Sequence, residues 1–139
     1  MRVLFDTNII LDVLLNRLPF YPSSAQALDT VLSGQVEGFV AAHAVATLAY
    51  LLQRQLGMAQ SRAALSTLLA HLKVAAVTDA VVRQALGGDF RDFEDAITYG
   101  AAQALGLDLI ISRNTKDFLG SGIPAVLPDV FLAGQYDSP

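Results

Sequence analysis

The apolar positions of this chain change period repeatedly, and each change marks a new element. Val3, Leu4 and Phe5 form an unbroken apolar run, the signature of a strand buried on both faces of a parallel sheet. Asp6-Thr7-Asn8 supplies turn and N-cap chemistry. From 8 to 16 the residues Ile9, Ile10, Leu11, Val13, Leu14 and Leu15 predict a mostly buried helix, broken by Leu18-Pro19-Phe20-Tyr21-Pro22. Pro22 suits a first helical turn, and Ala25, Leu28, Val31 and Leu32 continue at helical spacing to Gly34. A second strand is expected over 38–41, then helices over 43–56 and 59–72 that meet at Gly57.

A strand over 73–77 follows, with Thr78 as the cap of a helix over 79–86. Gly87-Gly88-Asp89 stops it. Phe90-Arg91-Asp92-Phe93-Glu94-Asp95-Ala96 opens a helix that runs through Ile97, Ala101, Ala102 and Leu105 to Gly106. A buried strand at 108–112, a turn entering a short helix at 113–118, a strand near 125–127 and a helix over 128–132 complete the order. Residues 134–139 read as a loose tail. Strands alternating with helices predict one three-layer α/β/α domain over 1–133, with a mostly parallel central sheet.

Composition narrows this picture. At 139 residues one domain with a real core is expected. The hydrophobic fraction is 53%, yet no apolar run reaches the roughly 18 to 20 residues that span a bilayer, and the opening residues do not resemble a signal peptide. A soluble cytoplasmic protein with no membrane partner is expected. The absence of cysteine rules out disulfides and thiolate chemistry, so any metal is held by oxygens or by the two histidines, which favours Mg²⁺ or Mn²⁺ over zinc. The net charge of -4 argues against nucleic-acid binding by bulk attraction. A carboxylate-lined metal site with a local basic rim remains compatible with it.

Three polar clusters lie where a parallel sheet would gather them: Asp6 after the first strand, Asp92 to Asp95 at a helix start, and Asn114 with Asp117 after the fourth strand. Oxygen donors of this kind suit Mg²⁺, and hydrolysis of a phosphodiester is the reaction whose parts are present. There is no glycine-rich phosphate loop ending in Lys-Ser/Thr and no paired-histidine metal motif. Each residue also has a plain structural reading. Asp92 and Asp95 form an acidic capping pair, Asp6 is a turn residue, Asp117 caps a turn or braces the Asn114 loop, and Asp12 either faces the crevice or forms the polar stripe of a buried helix. Arg91, Arg113 and Lys116 flank the site as candidate phosphate contacts. His43 and His71 read as ordinary helix residues, and core packing accounts for Tyr50 and Tyr99.

Taken together, Val-Leu-Phe-Asp6-Thr-Asn8-Ile-Ile-Leu-Asp12, Asp92-Phe-Glu-Asp95-Ala and Ile-Ile-Ser-Arg113-Asn114-Thr-Lys-Asp117-Phe resemble the PIN-domain family in order and spacing, from Arg2 to about Leu132. The resemblance implies an α/β/α fold and, as in active members, Mg²⁺- or Mn²⁺-dependent cleavage of RNA or other single-stranded nucleic acid. It further implies a homodimer, and for small bacterial members the toxin half of a toxin-antitoxin pair inhibited by a partner protein. On this basis Asp6, Asp95 and Asn114 are the expected metal ligands, Asp92 and Glu94 assist catalysis, and Asn8, Arg113 and Lys116 contact substrate. One departure stands out. VapC-type toxins carry a glutamate in the helix after the second strand, and here Thr47 occupies that position. Either Asp92 or Glu94 replaces the missing acid, or the metal is held more weakly, or the chain has become a PIN-like module acting through protein or RNA binding.

Overall fold

The computed structural model describes residues 1–120 and 122–135; of the expected tail, residues 136–139 lie outside the described residues. Strand β1 (Arg2–Phe5) is the centre of the sheet, and Val3, Leu4 and Phe5 are wholly buried. β2 (Glu37–Ala41) and β4 (Leu109–Ile111) flank it, while β3 (Lys73–Ala75) and β5 (Ala125–Val126) form the edges. The order is β3-β2-β1-β4-β5 and every pair is parallel, so the mostly parallel sheet expected is parallel throughout the described residues. Leu4 lies opposite Phe39 on one side and Ile110 on the other. This two-sided burial explains why the strand reads as a continuous apolar run instead of alternating.

Helices α1 (Thr7–Leu14), α2 (Tyr21–Leu32), α3 (Ala42–Leu56), α4 (Met58–Leu69), α5 (Asp79–Leu86), α6 (Phe93–Ala104) and α7 (Pro128–Leu132) connect and cover the strands. The chain winds from β1 outward through β2 to β3, then crosses back to place β4 on the other side of β1. Winding direction therefore reverses between β1 and β4. At such a switch point the connections leave in opposite directions and open a crevice at the carboxyl ends of the strands.

Several boundaries differ from the sequence reading. β3 ends at Ala75 because it is an edge strand with Lys73 and Val74 exposed, so only Ala75 anchors it. α4 ends at Leu69, and the amides of His71 and Leu72 bond back to the Leu68 carbonyl in a closing turn. His71 is thus an exposed turn residue, not a helical one. Tyr50 is also corrected: its side chain is 62% exposed, with Arg54 over the ring, and it is no part of the core. Tyr99 does pack against the core and stacks on Phe90 at 5.3 Å between centroids. Among the described residues no helix is long and apolar enough to cross a membrane.

Candidate active site

Asp6 follows the last residue of β1 and occupies the N-cap of α1. Its amide continues the sheet ladder to the Ile111 carbonyl at 2.9 Å, so the central strand fixes its backbone. One carboxylate oxygen accepts from the Thr7 amide at 2.8 Å, and the other from the Ser112 hydroxyl at 2.7 Å. Both bonds favour the ionised form. Burial disfavours it more strongly, and the net effect raises the Asp6 pKa above the usual carboxylate range. Ser112 is fully buried one residue beyond β4 and also accepts the Asn114 amide at 2.9 Å. One hydroxyl therefore ties the ends of two adjacent strands together.

The acids at the start of α6 reach the same crevice. Asp92 is the N-cap and accepts the Asp95 amide at 3.0 Å, so the structural role read from sequence is realised in its geometry. Asp95 is 8% exposed, and its pKa is pushed up to about 7, first by burial and then by the charges of Asp6 and Asp92, with Asp117 within hydrogen-bonding reach. Asp6, Asn8, Asp92, Glu94, Asp95, Arg113, Asn114 and Asp117 line one shallow crevice, together with Arg17. Lys116 does not line it. That side chain faces a neighbouring cavity.

Asp12, whose direction the sequence left open, is wholly buried between two arginines. Arg113 grips it through Nε at 2.9 Å and Nη2 at 3.1 Å, Arg17 adds an ion pair at 3.1 Å, and the Ser24 hydroxyl donates at 3.1 Å. The Arg113 guanidinium also lies 3.9 Å from the centre of the Phe20 ring. Its amide donates to the Asn8 carboxamide oxygen at 3.3 Å. Asp12 thereby sets the position of the loop carrying Asn114, and Arg113 is a held side chain at the wall of the crevice. The two arginines exceed the one carboxylate in charge, leaving a positive margin beside the acids.

His43 is a helix residue, as the sequence suggests, and its helix brings it close to Asp6. It lies in the first turn of α3, directly after β2, and its charge acts on Asp6. The Thr98 hydroxyl donates to the Glu94 carbonyl at 3.0 Å, so its oxygen is free to accept from His43 Nε2 at 3.2 Å. The other ring nitrogen, Nδ1, is buried and has no partner among the described residues. Thr47, one turn later, directs its hydroxyl to the His43 carbonyl at 3.5 Å. No motif marks His43 or Ser112. Ser112 had one usable signal, since like Asp6 it is the first polar residue after a buried strand.

The fold that places these acids has counterparts among known proteins. A PIN domain family model matches residues 2–116. The chain belongs to the PIN-domain family. A toxin-antitoxin complex from Klebsiella pneumoniae contains a chain 25% identical to it, with a TM-score of 0.70, covering 91% of this chain and 97% of that one. The fold is shared with VapBC2 from Rickettsia felis bound to a DNA fragment from its promoter, at 17% identity and a TM-score of 0.67, covering 90% of this chain and 97% of that one. It is also shared with Mycobacterium tuberculosis VapC20, a Sarcin-Ricin loop cleaving toxin, at 18% identity and a TM-score of 0.63, covering 78% and 86%. No curated protein matches the chain.

Whether this PIN domain's donors suit a divalent cation can be judged from their chemistry. Asp6 and Asp95 both resist ionisation because each is buried and a neighbouring acid is close, Asp92 to Asp6 and Asp6 to Asp95, and no lysine or arginine bonds to either carboxylate among the described residues. Oxygen donors carrying uncompensated charge suit a hard cation. No three acidic or histidine side chains among the described residues are already drawn together as a ligand cluster. The donor set fits, and Asp6 and Asp95 are the residues that would hold the ion, with Asn114 and Asp92 at the rim.

Proposed function

We propose that this PIN domain is a Mg²⁺- or Mn²⁺-dependent endoribonuclease whose crevice is organised by Asp6 and Asp95. The observation that carries this reading is the pair of buried carboxylates with raised pKa at the sheet's switch point, Asp95 pushed up by burial and then by the charge of Asp6. A bound divalent cation would polarise the phosphodiester and lower the pKa of water there. The chain's own residues do the rest. Ser112 and the Thr7 amide hold the Asp6 carboxylate in one orientation, Asp92 fixes the first turn of α6 and thereby Asp95, and the Asp12-bound arginines present positive charge to an incoming phosphate.

We infer further that the chain works as a homodimeric cytoplasmic toxin held in check by an antitoxin protein; its likeness to a chain of the Klebsiella pneumoniae toxin-antitoxin complex supports the toxin-antitoxin part of this reading. The decisive measurement is cleavage of RNA by the purified protein with Mn²⁺ or Mg²⁺. Asp6→Asn and Asp95→Asn are each expected to lower the rate at least about 100-fold, as loss of one preorganised electrostatic group typically does. Equal rates in wild type and both variants would sink the assignment. Thr47 at the acidic position of the family favours a second reading, a binding module with weak catalysis. For that case calorimetry would find no Mn²⁺ binding at millimolar metal while a stable dimer or partner complex persists.

A further inference from the structure

A second cavity adjoins the acids of the crevice. It lies beside them, between α5, α6 and the 3-10 turn over Thr115–Phe118, with a volume of about 540 Å³. Asp117 lines both spaces, so they adjoin at that residue. Clefts of this size, roughly 300 to 1,000 Å³, are the usual scale for a bound nucleotide-sized ligand.

The lining combines three kinds of chemistry. Phe90 and Tyr99 supply an aromatic wall on which a base can stack. Gln84 on α5 and Gln103 on α6 offer amide donors and acceptors suited to the edge of a base. Arg91 and Lys116 supply positive charge, and its freedom is the notable point. Arg2, Arg17, Lys73, Arg83 and Arg113 are all ion-paired, whereas Arg91 and Lys116, like Arg54 and Arg62 away from the cavity, enter no ion pair among the described residues. Of the carboxylates in the lining, Asp117 is within reach of Asp95 and so belongs to the crevice side, while Asp89 is exposed at the rim. A basic peptide segment would meet two unpaired cations in this cavity. A phosphodiester strand would be attracted by them.

We propose that this cavity is a subsite for single-stranded RNA, taking the nucleotide next to the phosphodiester that lies over Asp6 and Asp95. Phe90 and Tyr99 stack its base, Gln84 and Gln103 read the base edge, and Arg91 and Lys116 hold its phosphates. The subsite rests on the nuclease reading for its orientation, but its binding can be measured without any cleavage.

The test uses the full chain carrying Asp95→Asn, in Mg²⁺, so that a fluorescently labelled single-stranded oligoribonucleotide remains intact while anisotropy is recorded. Adding Arg91→Ala and Lys116→Ala together is expected to weaken binding at least 10-fold. The double change should also flatten the slope of log K against log salt by about 1.4, the value for two lost phosphate contacts on a single strand. Arg62→Ala, which removes an exposed charge on α4, should leave affinity unchanged. Gln84→Ala with Gln103→Ala should narrow the differences in affinity among the four homopolymers. Photo-crosslinking with 4-thiouridine RNA should label the segment 84–103. Absence of binding at micromolar protein, an affinity indifferent to Arg91 and Lys116, or crosslinks confined to other segments would each overturn the subsite. A chain that binds RNA through these residues yet never cleaves it would refute the nuclease reading and leave the subsite standing.

Discussion

At Asp12 a charge is held out of water by an arrangement that serves the site next to it. The carboxylate has no exposure, and its oxygens are taken up by Arg113, Arg17 and Ser24. Removing one partner of a buried pair typically costs about 3 to 5 kcal/mol, because the other charge is stranded. Here both arginine side chains keep partial access to water, at 39% and 27% exposure, so they can rehydrate and the loss is smaller. Asp12→Asn is expected to destabilise the fold by about 2 kcal/mol, read as a lower urea midpoint at unchanged m-value. An unchanged midpoint would mean that the arginines, not Asp12, set the loop. Sequence alone made Asp6, Asp95 and Asn114 legible as site candidates, because each sits at an element end that a parallel sheet collects on one edge. It left Asp12 undecided, since a lone acid in an apolar helix looks the same whether it faces a crevice or an arginine pair. It placed His43 in a helix without its closeness to Asp6: that closeness follows from β2 being the neighbour of β1, and strand order is not written in local periodicity.

Among the elements, β2 shows how tightly the helical layers press on the sheet. A Cβ built on Gly38 would come within 2.5 Å of a Leu72 methyl and 2.6 Å of a Val31 methyl. Leu72 is buried in the core, and Val31 is packed against it from α2, so neither methyl can swing freely away. Overpacking of this kind typically costs about 1 to 3 kcal/mol. Gly38→Ala is expected to fall in that range in chemical denaturation, and a neutral result would show that α2 shifts at no cost. The order of strands and helices was readable because each element buries a face at its own period. Element ends were less readable. The expected extension of β3 to Val77 rested on apolar residues that an edge strand leaves half in solvent, and the expected run of α4 to Leu72 overlooked a turn needed to bring the chain back into the sheet.

For the molecule as a whole, the crowded carboxylates couple folding to pH, and under the proposed function to cation binding. In the unfolded chain Asp95 titrates near 3.8, and in the folded protein at about 7; the Asp6 pKa is raised as well. A carboxyl whose pKa is raised by folding binds its proton more tightly in the native state. Its contribution to stability is therefore full below the unfolded value and is lost as pH rises through the folded one. The metal-free protein should lose Tm steadily between about pH 4 and pH 7, against the usual behaviour of a carboxylate stabilised by a salt bridge. Asp95→Asn should flatten that slope and leave the metal-free variant more stable than wild type at pH 8. A rise of roughly 3 °C corresponds to about 1 kcal/mol for a domain of this size. A cation that binds the ionised carboxylates reverses the order, since a ligand at 100 times its Kd adds about 2.7 kcal/mol to the folded state. Mn²⁺ at pH 8 is thus expected to raise the Tm of wild type well above that of Asp95→Asn, with little effect at pH 5 where protons occupy the site. Thermal scans of both proteins at pH 5 and 8, each with and without Mn²⁺, separate these terms. A metal-free Tm that does not change between the two pH values would show that Asp95 and Asp6 do not share one uncompensated site.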